Sequence, residues 1–411
     1  MIIRKQNILM ITTGPPSLNP RLVKEADVLI EAGFDVQVIY LYWNAWGEKI
    51  NVELLKSKKW KAIRVGGDPV NEKFNYNLSR AIHKVSKIAF HKTGIEIVAN
   101  GAIARGSYHL MLAAKKVKAD FYIGHTIGVL PALVTATDLH KKKCGFDAED
   151  FHRNEVSNDP SHPDSKVKKF IEDRFFNKLS YLTAASPLIA EQYRKLYPKL
   201  NVSSILNVFP KRGIPFCQSS NDKLKLFWFS QTVGINRGLE DIIQAIGLLE
   251  DTAIELHLLG YASLSTKEQL LALADKAGFH RNNLFFYDPI DSDSIIYFTS
   301  QFDIGLATET GVPFNRDICL TNKIFTYIQS GLAVLASDTQ SQQQLLETYK
   351  NLGIIYKRGN IKQIASILRM YNNDRTFLNN QKLASYQSGQ NKLNWDFESE
   401  KFIKVVESAL K

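Results

Sequence analysis

At 411 residues the chain is too long for one comfortable core and favours two or three domains; its 45% hydrophobic and 23% charged residues exclude a disordered chain. The net charge of +11 is one-sided, because residues 1–210 hold 31 Lys+Arg against 20 Asp+Glu while the remainder holds 21 of each, and a basic half points to an anionic partner, a membrane surface or nucleic acid. Three widely spaced cysteines, Cys144, Cys217 and Cys319, give neither a disulfide framework nor a CxxC metal site and suit a reducing compartment.

The N-terminal MIIRKQNILMITTG has too short and interrupted an apolar run for a secretory leader, and its NILMIT reads as a first strand. GPPSLN then forms a turn-rich loop. Asn19 is an N-cap and Pro20 a first helical residue, with Leu22, Ala26, Leu29 and Ile30 on one face and Gly33 as the stop. VQVIYLY opens the next strand, completing a βαβ unit. Residues 74–92 form a basic amphipathic helix, with Leu78, Ile82, Val85 and Phe90 near one face and Arg80, Lys84, Lys87 and Lys92 around it. Such a helix either packs its stripe on the core or lies on anionic lipid. YIGHTIGVLPALVTATDL reads as a buried strand, loop and helix, not a membrane span, because His125 and Pro131 interrupt it.

NVFPKRGIPF, residues 207–216, is a linker. Beyond it LKLFWF, IELHLLG, NLFFY, DIGLA, LAVLAS and GIIY are strands separated by helices such as LEDIIQAIGLL and KEQLLALADKAG. The expected fold class is therefore α/β, with two Rossmann-like doubly wound parallel-sheet domains facing across a cleft. The boundaries fall at 1–210 for a basic, acceptor-side domain and 211–390 for a donor-side domain. A C-terminal helix within 391–411 carries Phe397, Phe402, Val405, Val406 and Leu410 and is expected to pack back on the first domain.

Three loops have the residue types for binding a diphosphate. Gly14 follows the first strand, where a missing Cβ lets backbone amides approach a phosphate or sugar; a tight turn held by Pro15 and Pro16 explains it equally. In FSQTVGINRGLED, Arg237 stands between Gly234 and Gly238 beside a helix start, suited to paired hydrogen bonds with a diphosphate or to plain solvation. In LTNKIFTYIQSGLAVLASD, Leu320, Thr321 and Asn322 open a helix that Gly331 ends. Lys323 at that helix start is disfavoured by the macrodipole unless an anion sits nearby. Asp291-Ser292-Asp293 has the look of a metal-binding pair, but it precedes a helical stretch where Asp or Ser is an ordinary N-cap.

With these loops in place the chain resembles the large group of retaining two-Rossmann (GT-B) glycosyltransferases that use nucleotide-diphospho-sugars, many of them bacterial polysaccharide or lipopolysaccharide assembly enzymes. GPPSLNPRLVKEADVLIEAGFDVQVI, ADFYIGHTIGVLPALVTA, YLTAASPLIAEQYRKLYP, ILNVFP and TNKIFTYIQSGLAVLASD are similar, in order, to segments of that family. The resemblance implies that Arg237 holds the donor diphosphate, with Gln231 where many members have a second basic residue. It places Gly14 near the donor phosphates and acceptor, His125 near the reacting carbon of the sugar, and the amides of Leu320, Thr321 and Asn322 at phosphate and sugar. Lys323 adds charge there.

The chain also departs from the family pattern. Two Glu residues separated by seven others are common in the family, the second bonding ribose; Ile318 and Thr326 stand at those places here. Glu309 and Asp317 share that spacing but precede the helix, and the match reads as coincidence. The family's Asp-x-His-Glu becomes Asp147-Ala148-Glu149-Asp150. The resulting expectation is a cytoplasmic, metal-independent transferase without cofactor, peripheral at the inner face of the plasma membrane. It would pass a sugar, with retention, from a nucleotide sugar to a glycan or lipid-linked acceptor in surface polysaccharide synthesis. A sugar-nucleotide epimerase or hydrolase and a non-catalytic nucleotide-sugar binder are the alternatives. Nucleic acid is not an expected partner, since the basic residues lack an aromatic platform.

Overall fold

A computed structural model describes residues 5–220, 222–249, 253–291 and 293–411. Residues 1–4, where the leader reading begins, and Ser292 of the Asp291-Ser292-Asp293 triplet lie outside the described residues. The chain divides into two compact units, one of Met1–Ile205, Pro313–Asn315 and Ser399–Lys411, the other of Leu206–Val312 and Arg316–Glu398.

Unit 1 holds a parallel sheet of β1 (Asn7–Thr12), β2 (Asp35–Leu41), β3 (Lys61–Val65), β4 (Phe121–His125), β5 (Lys143–Ala148), β6 (Tyr181–Ala184) and β7 (Val202–Ser204). Their spatial order is β3-β2-β1-β4-β5-β6-β7. The helix Pro20–Glu31 begins where Asn19 accepts from the Leu22 amide at 3.0 Å, and it buries Leu22, Ala26 and Leu29. It also buries Arg21 and Glu25, which periodicity assigns to no apolar stripe. Gly145 in β5 lets the Tyr181 ring cross the sheet: a Cβ there would lie 2.0 Å from the ring. Tyr181 in turn stacks on Phe121 at 5.8 Å.

The helix Lys73–Thr93 corrects the stripe read from the sequence. Its buried side chains are Ser79, Ser86 and Phe90, whereas Val85 is 66% exposed and Leu78 41%. The reason is close packing. Gly101 sits so near Ser86 that a Cβ would meet its Oγ at 2.4 Å, so small residues form the contact there; of the expected stripe Phe90 is buried, while Leu78 and Val85 face outward.

Unit 2 holds β8 (Leu224–Thr232), β9 (Ile254–Tyr261), β10 (Leu284–Tyr287), β11 (Ile304–Ala307), β12 (Ala333–Ser337) and β13 (Gly353–Tyr356), in the order β10-β9-β8-β11-β12-β13. All six strands expected from the sequence are present. Leu226, Trp228, Ile242, Ile243, Leu256, Ile304 and Leu335 belong to one buried cluster that joins the sheet to its helices. Gly305 admits the Tyr327 ring, which a Cβ would meet at 2.1 Å, and this seats the helix Asn322–Gln329 directly on β11. Asp293 pairs with Arg212, and Ser294 stands at the N-cap position of the helix Ile295–Thr299 without a side-chain capping bond. No disulfide joins Cys144, Cys217 or Cys319 among the described residues. Among the described residues no helix is long and apolar enough to cross a membrane.

In both sheets the strand order reverses beside the first strand, between β1 and β4 in unit 1 and between β8 and β11 in unit 2. Ligands of doubly wound sheets bind beyond the carboxyl ends of the strands at such a reversal.

Candidate functional site

At the reversal in unit 1 the loops after β1 and β4 touch, with the Thr13 and Thr126 hydroxyls 2.8 Å apart. Gly128 makes this approach possible, since a Cβ would strike Ala104 and Thr13 at 2.5 and 2.7 Å. Thr126 has φ 69° and ψ 140°, a region that β-branched residues avoid and that costs on the order of 1–3 kcal/mol. A cavity of about 510 Å³ opens here, lined by Thr13, Trp43, Arg105, Thr126, Glu149, Asp150, His152 and Lys168 among others, a size that suits a small ligand. Gly14 lies in the loop after β1, and a Cβ on it would meet no protein atom within 4 Å. Packing therefore does not demand glycine at that position, and the loop leaves room for a ligand.

His125, at the end of β4, is fully buried in an ionic cluster that spacing along the chain could not reveal. Its Nε2 lies 3.1 Å from Glu25, and its Nδ1 lies 3.5 Å from Asp147 and 3.8 Å from Glu149. Arg21 spans both Asp147 oxygens, donating from Nη2 at 2.8 Å and also from Nε, while its Nη1 donates to the Ile205 carbonyl at 2.7 Å. Thr183 donates to Asp147 at 2.8 Å, and Asn19 to Glu149 at 2.7 Å. Burial opposes charge on the imidazole, but Glu25, Glu149 and Asp147 outweigh it and raise the pKa to about 10. His125 is thus an imidazolium enclosed by carboxylates. His125, Asp147 and Glu149 bring three ligand atoms within 4.8 Å of one another, but a metal ion there would meet the Arg21 guanidinium.

In unit 2 the reversal gathers the other predicted residues. Arg237 is exposed and donates to the Ser230 hydroxyl at 2.9 Å and the Thr232 hydroxyl at 3.3 Å. No carboxylate pairs with it among the described residues. Its carbonyl accepts from Thr308 Oγ1 at 2.6 Å, and Trp228 Nε1 donates to that same oxygen at 3.2 Å. Gly238 has φ 77°, and a Cβ there would crowd Thr308 at 2.8 Å, so glycine is required at this join. Gln231 is exposed between Ser230 and Thr232.

The helix Asn322–Gln329 starts at Thr321 with no side-chain cap, leaving its first amides available to an acceptor. Thr321 instead donates to Glu309 at 3.2 Å, and Lys323 pairs with the same carboxylate at 2.6 Å. The anion that compensates Lys323 at the helix start is therefore Glu309, which helix register alone had set aside. Burial works against charge on Glu309, but Lys323, Arg316 and Thr321 prevail and hold its carboxyl below the usual range. Leu320 is buried beside the helix start. Thr326 is fully buried and donates its hydroxyl to the Asn322 carbonyl at 2.9 Å, one turn back. Its hydroxyl proton is therefore committed inside the helix. Asp317 accepts from Gln340, and Arg358 lies 3.8 Å from it.

Residues 308 and 309 thus connect the Arg237 loop to the start of the helix. Thr126, Thr13 and Glu25 escaped the sequence reading because their partners are distant in sequence, whereas Glu309 was noticed and set aside on helix register.

No protein-family model matches the chain, and no curated protein matches it. Solved structures do match. Sucrose-phosphate synthase from Thermosynechococcus elongatus superposes with a TM-score of 0.68 at 12% identity, covering 98% of this chain and 99% of that one. Anabaena HepE in complex with UDP and glucose gives 0.67 at 14% identity, over 98% and 100%. A mutant of S. aureus TarM in complex with Fondaparinux, alpha-GlcNAc-glycerol and UDP gives 0.69 at 11% identity, over 99% and 100%. The chain therefore has the two-Rossmann, GT-B fold found in these glycosyltransferases.

Proposed function

We propose that the chain is a glycosyltransferase that moves a sugar from a nucleotide-diphospho-sugar to a glycan or lipid-linked acceptor. The observation that carries this reading is in unit 2. Arg237, exposed and without a carboxylate, stands at the strand reversal and is joined through Thr308 and Glu309 to an uncapped helix start. Guanidinium and aligned amides are what a diphosphate leaving group needs, because both stabilise negative charge as it develops.

In this reading Arg237 and the amides of Thr321 and Asn322 hold the diphosphate, with Gln231 and Leu320 at the edge of the site. Lys323 acts through Glu309, and Thr326 holds the helix turn. The acceptor oxygen bonds to the anomeric carbon as the bond from that carbon to the β-phosphate oxygen breaks. The acceptor proton passes to the departing diphosphate on the same face, which gives retention, and no metal takes part. The unit 1 cavity receives the acceptor, with Gly14 in its neighbourhood. His125, enclosed as it is, positions the loop that Thr126 begins. The basic excess of residues 1–210 and the outward Val85 and Phe74 support work at the inner face of a membrane.

Uridine, guanosine and adenosine diphosphate sugars, screened by thermal shift, test the donor site. One of them is expected to raise Tm in the native chain and not in Arg237→Ala. An Arg237→Ala response equal to the native one refutes the assignment. A non-catalytic binder is the second reading, favoured by the commitment of Thr326 within its helix; it requires a donor-induced shift with no nucleoside diphosphate released when acceptors are supplied.

A further inference from the structure

We infer that Arg105, Arg80 and Lys84 form an oxyanion subsite beside the unit 1 cavity, and that the acceptor is acidic, carrying a phosphate or a carboxylate. This deepens the acceptor reading above and rests on it.

Arg105 borders two cavities, the one of about 510 Å³ at the strand reversal and a second of about 390 Å³ lined by Asn77, Arg80, Ala81, His83, Lys84 and Arg105. Positions 77, 80, 81 and 84 recur at helical spacing, so the helix Lys73–Thr93 presents one polar, cationic face to the second cavity. Its lining contains no acid.

The guanidinium of Arg105 is half-buried and held from behind. It donates to the Ser79 hydroxyl at 3.1 Å and to the Tyr42 carbonyl, and it lies 5.0 Å from the centre of the Tyr76 ring, which Arg80 also approaches at 5.7 Å. None of these partners is an anion. Among the described residues neither Arg105, Arg80 nor Lys84 forms an ion pair, whereas cations close by on the same unit do. Lys87 meets Asp164 at 2.9 Å, Lys168 meets Glu155 at 2.7 Å, and Arg64 meets Asp68 at 2.6 Å.

Burial lowers the pKa of Arg105, and Arg80 adds to that effect. Gathering unpaired cations around a partly buried guanidinium is costly unless an anion arrives. His83 bridges the two cavities. Its Nδ1 donates to the Gly101 carbonyl at 2.9 Å, which leaves Nε2 for a ligand. Trp43, 62% exposed on the first cavity, offers a ring face for a sugar.

The test uses the full chain and two variants, Arg105→Gln and the paired Arg80→Gln/Lys84→Gln, the latter on exposed residues whose loss leaves the fold intact. Calorimetry compares tetragalacturonate with neutral maltotetraose, and flotation compares phosphatidylcholine vesicles with and without polyprenyl phosphate. The native chain is expected to favour at least one acidic member by roughly tenfold to a hundredfold, the range for hydrogen bonds to charged groups. Both variants should lose that preference, and salt should weaken it in the native chain. Preference for the uronate identifies a carboxylated glycan, and preference for the loaded vesicle a lipid-borne phosphate. Equal affinity for acidic and neutral members, or a preference that survives in the Arg80/Lys84 variant, overturns the inference. The thermal shift given by whichever uridine, guanosine or adenosine diphosphate sugar raises the native Tm, run in parallel, is expected to be unchanged in both variants; no shift from any of the three in the native chain would instead count against the donor reading.

Discussion

Replacing His125 by Gln removes one charge from the centre of unit 1 and leaves Glu25 without its imidazolium. The ring is fully buried, its ordinary pKa of 6.5 is raised to about 10 in the fold, and solvent does not screen it. A group held protonated in the folded state stabilises fully below pH 6.5 and loses that contribution as pH climbs through about 10. The slope is about 1.4 kcal/mol per pH unit, which sets a ceiling of roughly 5 kcal/mol across the window. Removing one partner of a buried pair costs about 3–5 kcal/mol, in keeping with that ceiling. Urea unfolding followed through Trp60, buried in the same unit, should therefore show His125→Gln well below the native chain at neutral pH. The gap should narrow by some 2–3 kcal/mol toward about pH 9. Parallel pH curves for the two proteins would mean that the carboxylates do not hold a charged ring, and the account of the cluster would fail.

Two further outcomes follow from local geometry. Thr126→Gly relieves the positive φ but gives up the contact with Thr13, so it should unfold no more easily than the native chain, and it should exceed Thr126→Val by about 1–2 kcal/mol in urea midpoint stability; a Val variant as stable as the Gly variant refutes strain at this position. Glu309→Gln removes the charge paired with Lys323 and should cost about 2 kcal/mol of stability in the same assay, while calorimetric affinity for the nucleotide sugar that raises the native Tm does not fall; a loss of affinity would show that Glu309 itself serves the ligand.

Much of the frame was legible locally. Asn19 and Pro20 announced a helix start that the structure places at Pro20, and the apolar runs of the second half became β8 to β13. The helix Lys73–Thr93 was legible in extent, but not in which side it buries, because Ser79 and Ser86 pack by their smallness and periodicity counts only large apolar residues. In the site, Arg237 and the helix start at Thr321 were visible through their neighbouring glycine and turn residues. The role of Glu309 was not, because its relation to Lys323 depends on β11 ending beside that helix.

By itself the sequence determined the alternation of strands and helices and the loops able to meet an anion, since hydrogen-bond period, turn chemistry and capping act over a few residues. Tertiary structure alone decided which charges are spent on one another. Arg21 and Asp147 are 126 positions apart, yet they bond bidentately beside His125, while Arg105 and Arg237 have no carboxylate partner among the described residues. Electrostatic pairing depends on distance through space and on exclusion of water, and both quantities exist only once the sheets have formed.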